Sequence, residues 1–88
     1  LSGGNIVNGT ATGFQQNGIQ VSNGTGNRVW FNTVNDAGWD GISVFNSPNA
    51  QINDNRVNNS YRSAIALGAS NGAQILRNIL NNNWGGMW

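Results

Sequence analysis

Like residues in this chain recur every 23 positions. Few patterns restrict a fold more tightly, because a short unit that repeats without gaps must stack on copies of itself. The 88 residues divide into three coils, Asn5–Asn27, Arg28–Ala50 and Gln51–Ala73, and a partial fourth, Gln74–Trp88. Coils two and three share six identities over 23 positions: Asn32/Asn55, Val34/Val57, Asn35/Asn58, Ile42/Ile65, Ser47/Ser70 and Ala50/Ala73.

The apolar members fall into four columns: Ile6, Val29, Ile52 and Ile75; Ala11, Val34, Val57 and Leu80; Ile19, Ile42, Ile65 and Trp88; Val21, Val44 and Leu67. The third and fourth columns lie two residues apart, which puts both on one face of an extended strand. Their β-branched residues favour strands. Helical spacings of three and four are missing, as are capping signals. Each coil reads as three short strands, which in coil two are Gly41–Phe45, Val29–Trp30 and Thr33–Asn35. One coil alone cannot bury its apolar face. Coils stacked about 4.8 Å apart can, with like residues on like residues. Each inward aliphatic then contributes roughly 1.5–3 kcal/mol against the entropy of ordering.

Asn32, Asn55 and Asn78 form a polar column, with Gly9 in coil one. They fall between the second and third strands, where the chain must bend. Asn tolerates the left-handed backbone such bends use, and its amide can bond to the next coil. These Asn-x-Val/Ile columns, with Gly-Ile-x-Val strands, resemble the parallel β-helix repeat of the pectate-lyase-like superfamily. That group includes polysaccharide lyases, polygalacturonases, alginate epimerases and phage tailspikes. The resemblance covers the whole chain as repeats, not as a catalytic signature. It implies an all-β, right-handed parallel β-helix, and an extracellular or virion-surface setting.

Composition removes several functions. The chain has no His, Cys, Lys or Glu. His-based triads, thiolate nucleophiles, ordinary zinc sites and disulfides are therefore excluded. The net charge of +1 gives no footprint for nucleic acid or an anionic membrane, and no apolar run approaches a membrane span. Asn and Gly fill over a third of the chain, yet 38% of residues are hydrophobic, which opposes disorder. Thr10, Thr12, Thr25 and Thr33 make no flat ladder of the kind that binds ice.

Function must lie where the repeat is broken, in the loop from the third strand to the first: Asp36–Asp40, Asn59–Ser63 and Asn82–Gly86. Register places Tyr61 below Trp84 and Arg62 over Trp39. Aromatic faces stack on sugar rings, and Asp, Asn and Arg bind sugar hydroxyls. Trp39, Tyr61 and Trp84 are thus candidate polysaccharide-binding residues. Ser43, outward on the first strand beside Gln20 and Ala66, is expected to leave a groove floor open. Loop aromatics can also merely cover a core, and Arg62 on Trp39 can be a surface cation–π pair.

Asp36 and Asp40 are the one close pair of acids, with Arg62 the third candidate catalytic group. Two carboxylates suit glycoside hydrolysis; a base and a cation suit a lyase. The same acids can also close local turns, and as two carboxylates without a third they make only a weak case for Ca²⁺. No other cofactor is expected. No family's catalytic residues carry over: the polygalacturonase pattern is met only by Asn32-Thr33, without His or Lys, and the epimerase Asp-Pro-His-Glu pattern has no counterpart.

The chain reads as a single segment, residues 1–88, of a longer solenoid, since neither end has a polar cap. Self-association through open coil ends, or a trimer packed on Trp30 and Phe31, is expected. The two functional readings are therefore a polysaccharide-binding segment and a structural shaft.

Overall fold

The computed structural model describes residues 6–8 and 17–87. It contains strands only: β1 (Ile6–Asn8), β2 (Ile19–Ser22), β3 (Arg28–Trp30), β4 (Thr33–Asn35), β5 (Ile42–Phe45), β6 (Gln51–Asn53), β7 (Arg56–Asn58), β8 (Ser63–Gly68), β9 (Gln74–Leu76), β10 (Ile79–Asn81) and β11 (Gly85–Met87). All pairings are parallel, in three sheets ordered β1-β4-β7-β10, β11-β8-β5-β2 and β3-β6-β9. A chain that returns to the same sheet once per coil is a parallel β-helix.

The columns become the core. Val34 pairs with Val57 and Val57 with Leu80; Val29 pairs with Ile52 and Ile52 with Ile75. Ile19, Ile42 and Ile65 form a third column, Val21, Val44 and Leu67 a fourth. Val29, Val34, Ile42, Val44, Ile52, Val57 and Ile65 are completely buried. Ile75, Leu67 and Leu80 pack on them but stay partly open, because less chain lies over them. One column beside the valines is small: Gly18, Gly41, Ala64. A Cβ on Gly41 would overlap Val57 Cγ1 and the Ala64 carbonyl oxygen.

The spacing departs from 23 in two places. Strand β1 pairs with β4 as Ile6↔Thr33, Val7↔Val34 and Asn8↔Asn35, an offset of 27. Val7, not Ala11, stands on the valine column, and Ile6 does not join Val29; Ala11 and Gly9 lie outside the described residues. In sequence, Ile6-Val7-Asn8 has the form of Thr33-Val34-Asn35. In β11 the offset is 22, Gly85↔Ser63 and Met87↔Ile65, so Met87 takes the position expected for Trp88, which lies outside the described residues.

Each coil turns at four left-handed corners: Asn23/Asn46/Ala69, Gly26/Asn49/Gly72, Phe31/Asp54/Arg77 and Asp36/Asn59/Asn82, with φ between 48° and 75°. Every positive φ among the described residues falls in these four columns. Asn32, Asn55 and Asn78 are not among them. The bend is taken by the residue before each Asn, and the Asn side chain turns inward instead.

That inward turn explains their burial. Asn55 Oδ1 accepts the Asn32 backbone N–H and side-chain amide, both at 3.0 Å. Asn55 Nδ2 donates to the Val29 carbonyl at 2.9 Å and to Asn78 Oδ1 at 3.0 Å. Asn78 repeats this, accepting the Asn55 N–H at 2.9 Å and donating to the Ile52 carbonyl at 2.8 Å. The Asn column thus satisfies the Asn32 and Asn55 N–H groups at the bend and adds a bond to the Val29 and Ile52 carbonyls. Asn83 does the same elsewhere, accepting the Ser60 N–H at 2.7 Å and donating to the Val57 carbonyl at 3.0 Å.

Asn55→Ala leaves the Asn32 N–H without a partner in the interior and removes one of the bonds to the Val29 carbonyl. We expect a loss of at least about 2 kcal/mol in urea unfolding, against under about 0.5 kcal/mol for Asn81→Ala, whose amide bonds only at the exposed surface. Equal losses from the two variants would refute the distinction between buried and surface ladders.

Candidate functional site

The loop from the third-strand sheet to the first builds one face of the solenoid. Each loop leaves through a left-handed corner at Asp36, Asn59 or Asn82, then climbs to the next strand. Backbone bonds hold the loops in stack: Tyr61 N–H to the Ala37 carbonyl at 3.0 Å, Arg62 N–H to Trp39 at 2.9 Å, and Trp84 N–H to Ser60 at 3.3 Å. The result is a cleft of about 290 Å³ lined by Trp39, Tyr61, Arg62, Ser63, Trp84 and Gly85.

The Trp39 and Tyr61 rings lie 6.3 Å apart at an interplanar angle of 23°. The Arg62 guanidinium sits 4.6 Å from the Trp39 ring centroid. Tyr61 is 60% exposed and Trp84 is 85% exposed, so neither lids the core. Three aromatics from three successive coils, with one cation, therefore share one open surface. It suits a ligand with flat apolar faces and polar edges.

The acids go elsewhere. Asp40 is buried, and its Oδ1 accepts the Ser63 N–H at 3.1 Å. Asn17 Oδ1 accepts the Asp40 N–H in the same way, also at 3.1 Å. Asp40 is thus the middle rung of an Asn17–Asp40–Ser63 ladder and does not open onto a groove. Its Oδ1 also lies 3.7 Å from Arg62 Nε. The Arg62 side chain is 52% exposed, so that pair adds little. Asp36 is an exposed corner residue with φ 58°. Neither acid lines the cleft, so the two-carboxylate arrangement expected from their spacing is not assembled there. Among the described residues, no three acidic side chains gather as a cation would need.

Ser43 is also displaced from its expected role. By strand alternation it points away from Ile42 and Val44, between Gln20 and Ala66, yet it is only 1% exposed. A hydroxymethyl group on an inner strand is too short to rise above its neighbours, so it offers no groove floor. Ser63, among the residues lining the cleft, is likewise closed to solvent.

A second groove, about 360 Å³, runs along the other corner past Phe31, Thr33, Arg56 and Ile79. There Arg77 donates to both Asp54 oxygens, at 2.7 and 3.1 Å. Those bonds hold the Asp54 carboxyl below the usual carboxylate range and raise Arg77.

Compared with known families, residues 2–88 match the right-handed beta helix region. The chain belongs to that family. In this right-handed β-helix, the hand that strand pairing leaves unspecified is settled by the family, and it agrees with the usual hand of parallel crossovers. No curated protein and no solved structure matches the chain. The function of this β-helix must therefore be argued from its own cleft.

The ladder role of Asp40 has a direct consequence. Asp40→Asn keeps an Oδ1 acceptor for the Ser63 N–H and should cost under about 0.5 kcal/mol. Asp40→Ala orphans that buried N–H and should cost roughly 1–3 kcal/mol. Thermal unfolding of the two variants side by side reads the difference; an Asp40→Asn variant as unstable as Asp40→Ala would show that charge, not the acceptor, matters.

Proposed function

We propose that this chain is the polysaccharide-binding segment of a carbohydrate-active β-helix protein, secreted or virion-borne. One observation carries the reading: Trp39, Tyr61 and Trp84, each from a different coil, converge with Arg62 on one open cleft. Two rungs of the solenoid span roughly 9–10 Å. A polymer lying along the solenoid axis then meets one aromatic per rung, and a repeating ligand suits a repeating surface. The aromatic faces take the apolar faces of the rings, while Arg62 donates to ring oxygens at the rim. Because Asp40 is engaged within the fold and Asp36 stands apart at a corner, the role assigned here is binding. Lyase, hydrolase or epimerase chemistry belongs to other coils of such a protein.

Affinity electrophoresis through gels containing xylan, hydroxyethylcellulose, polygalacturonate or alginate tests this. We expect at least one polymer to retard the chain. Trp84→Ala, at a position 85% exposed, should weaken that retardation about tenfold without lowering the unfolding midpoint. Unretarded migration in all four gels would remove the proposal.

A second reading, a structural shaft that packs on partner chains, rests on Phe31. Its φ of 57° is a left-handed conformation that costs a bulky residue about 1–2 kcal/mol, yet the ring is 57% exposed. It packs against Trp30 with ring centroids 5.4 Å apart and tilted by 43°, and Trp30 in turn carries Arg28 at 4.1 Å. Strain left uncompensated by burial within the chain fits a ring that is covered in an assembly. In this reading the chain sediments as a trimer, and Phe31→Asn yields a monomer whose fold is about 1 kcal/mol more stable. A native chain that sediments as a monomer at high concentration would overturn it.

A further inference from the structure

Asparagine is followed by glycine at Asn8-Gly9, Asn17-Gly18, Asn23-Gly24 and Asn71-Gly72. Such a pair carries a reaction of its own. The glycine backbone nitrogen can attack the carbonyl carbon of the asparagine side chain, and glycine has no Cβ to obstruct the approach. Gly9 lies outside the described residues, which leaves three pairs to compare.

The stack holds two of them. The Gly18 N–H donates to the Asp40 carbonyl at 3.1 Å, and Asn17 Oδ1 accepts the Asp40 N–H, also at 3.1 Å. The Gly24 N–H donates to the Asn46 carbonyl at 3.3 Å, and Asn23 Oδ1 accepts the Asn46 side-chain amide at 2.9 Å. In both pairs the attacking nitrogen and the side chain it must reach are tied to the neighbouring coil. Reaction there has to break two hydrogen bonds first.

Asn71-Gly72 is placed differently. Both residues are exposed. Among the described residues, neither the Gly72 N–H nor the Asn71 side-chain amide has a hydrogen-bond partner. The Asn71 backbone carbonyl accepts the Asn49 N–H at 2.8 Å. That bond polarises the Asn71–Gly72 amide and makes the Gly72 N–H easier to deprotonate. Gly72 has a φ of 75°, and a Cβ there would overlap Asn49 Oδ1, so the corner itself favours glycine.

We propose that Asn71 is a site of spontaneous covalent modification, closing on the Gly72 nitrogen to a succinimide that opens to aspartate and isoaspartate. The Gly72 N–H gives its proton to solvent, and its nitrogen forms a bond to Asn71 Cγ. The Cγ–Nδ2 bond breaks, and Nδ2 takes up a proton and leaves as ammonia. Water then adds to either ring carbonyl. Opening at one gives aspartate. Opening at the other gives isoaspartate, which inserts an extra carbon into the main chain at the turn from coil three into coil four.

The test incubates the full chain in mildly alkaline buffer, with a parallel sample in concentrated urea. Peptide mapping by mass spectrometry follows the conversion of amide to acid at each pair. In the folded chain Asn71 should convert at least about tenfold faster than Asn17 and Asn23, because only those two must first give up their bonds to the next coil. In urea, where those bonds are gone, the three should convert at comparable rates. Comparable rates in the folded chain, or no conversion at Asn71, would overturn the proposal. A preference for Asn71 that persists undiminished in urea would overturn it too, since it would come from local sequence and not from the stack.

Discussion

The hydrogen bond from a buried side chain to the backbone of the adjacent coil is what the rest of this structure depends on. Apolar columns supply most of the driving force, but they occur only where the chain is extended. Between the strands, backbone N–H groups such as those of Asn32, Asn55 and Ser60 leave the ladders while remaining inside, where each unpaired group is costly. The Asn32–Asn55–Asn78 ladder, the Ser60–Asn83 pair and the Asn17–Asp40–Ser63 ladder supply the missing partners. Their partners lie one coil away, so these bonds also set the registry between coils. A slip of one residue would break the ladders and reverse the faces of the strands together.

The corners follow from the same constraint. A coil of 23 residues must close on itself while keeping its short strands parallel to those above and below. It does so with left-handed residues at four fixed positions. Asn, Asp and Gly fill most of them at low cost. Phe31, Arg77 and Ala69 do not belong to that group, and two of them have visible surface roles. Arg77 pairs with Asp54 in the rung beside it, and Phe31 presents an exposed ring next to Trp30.

The cleft illustrates how a repeat acquires a site. Its walls are ordinary loop positions whose side chains happen to be aromatic in three successive coils. Changes of side chain at loop positions, rather than added elements, produce this cleft.

Periodicity alone was enough to determine the strands, the parallel stacking and the four inward columns. Burial of an aliphatic column needs only the spacing, and the spacing is written in the chain. The aromatic cluster was legible for the same reason, since Trp39, Tyr61, Arg62 and Trp84 fall in one loop at matching register. What spacing could not determine was the direction of a polar side chain at a bend. Asp36 and Asp40 looked alike in the chain, yet one stands exposed at a left-handed corner and the other lies buried beneath the Ser63 N–H. The left-handed bend expected at Asn32 is taken by Phe31, and Ser43 is closed to solvent. The offsets of 27 and 22 at the two ends were likewise decided in three dimensions. Polar placement depends on which backbone groups a neighbouring coil leaves unpaired, and that is known only once the coils are stacked.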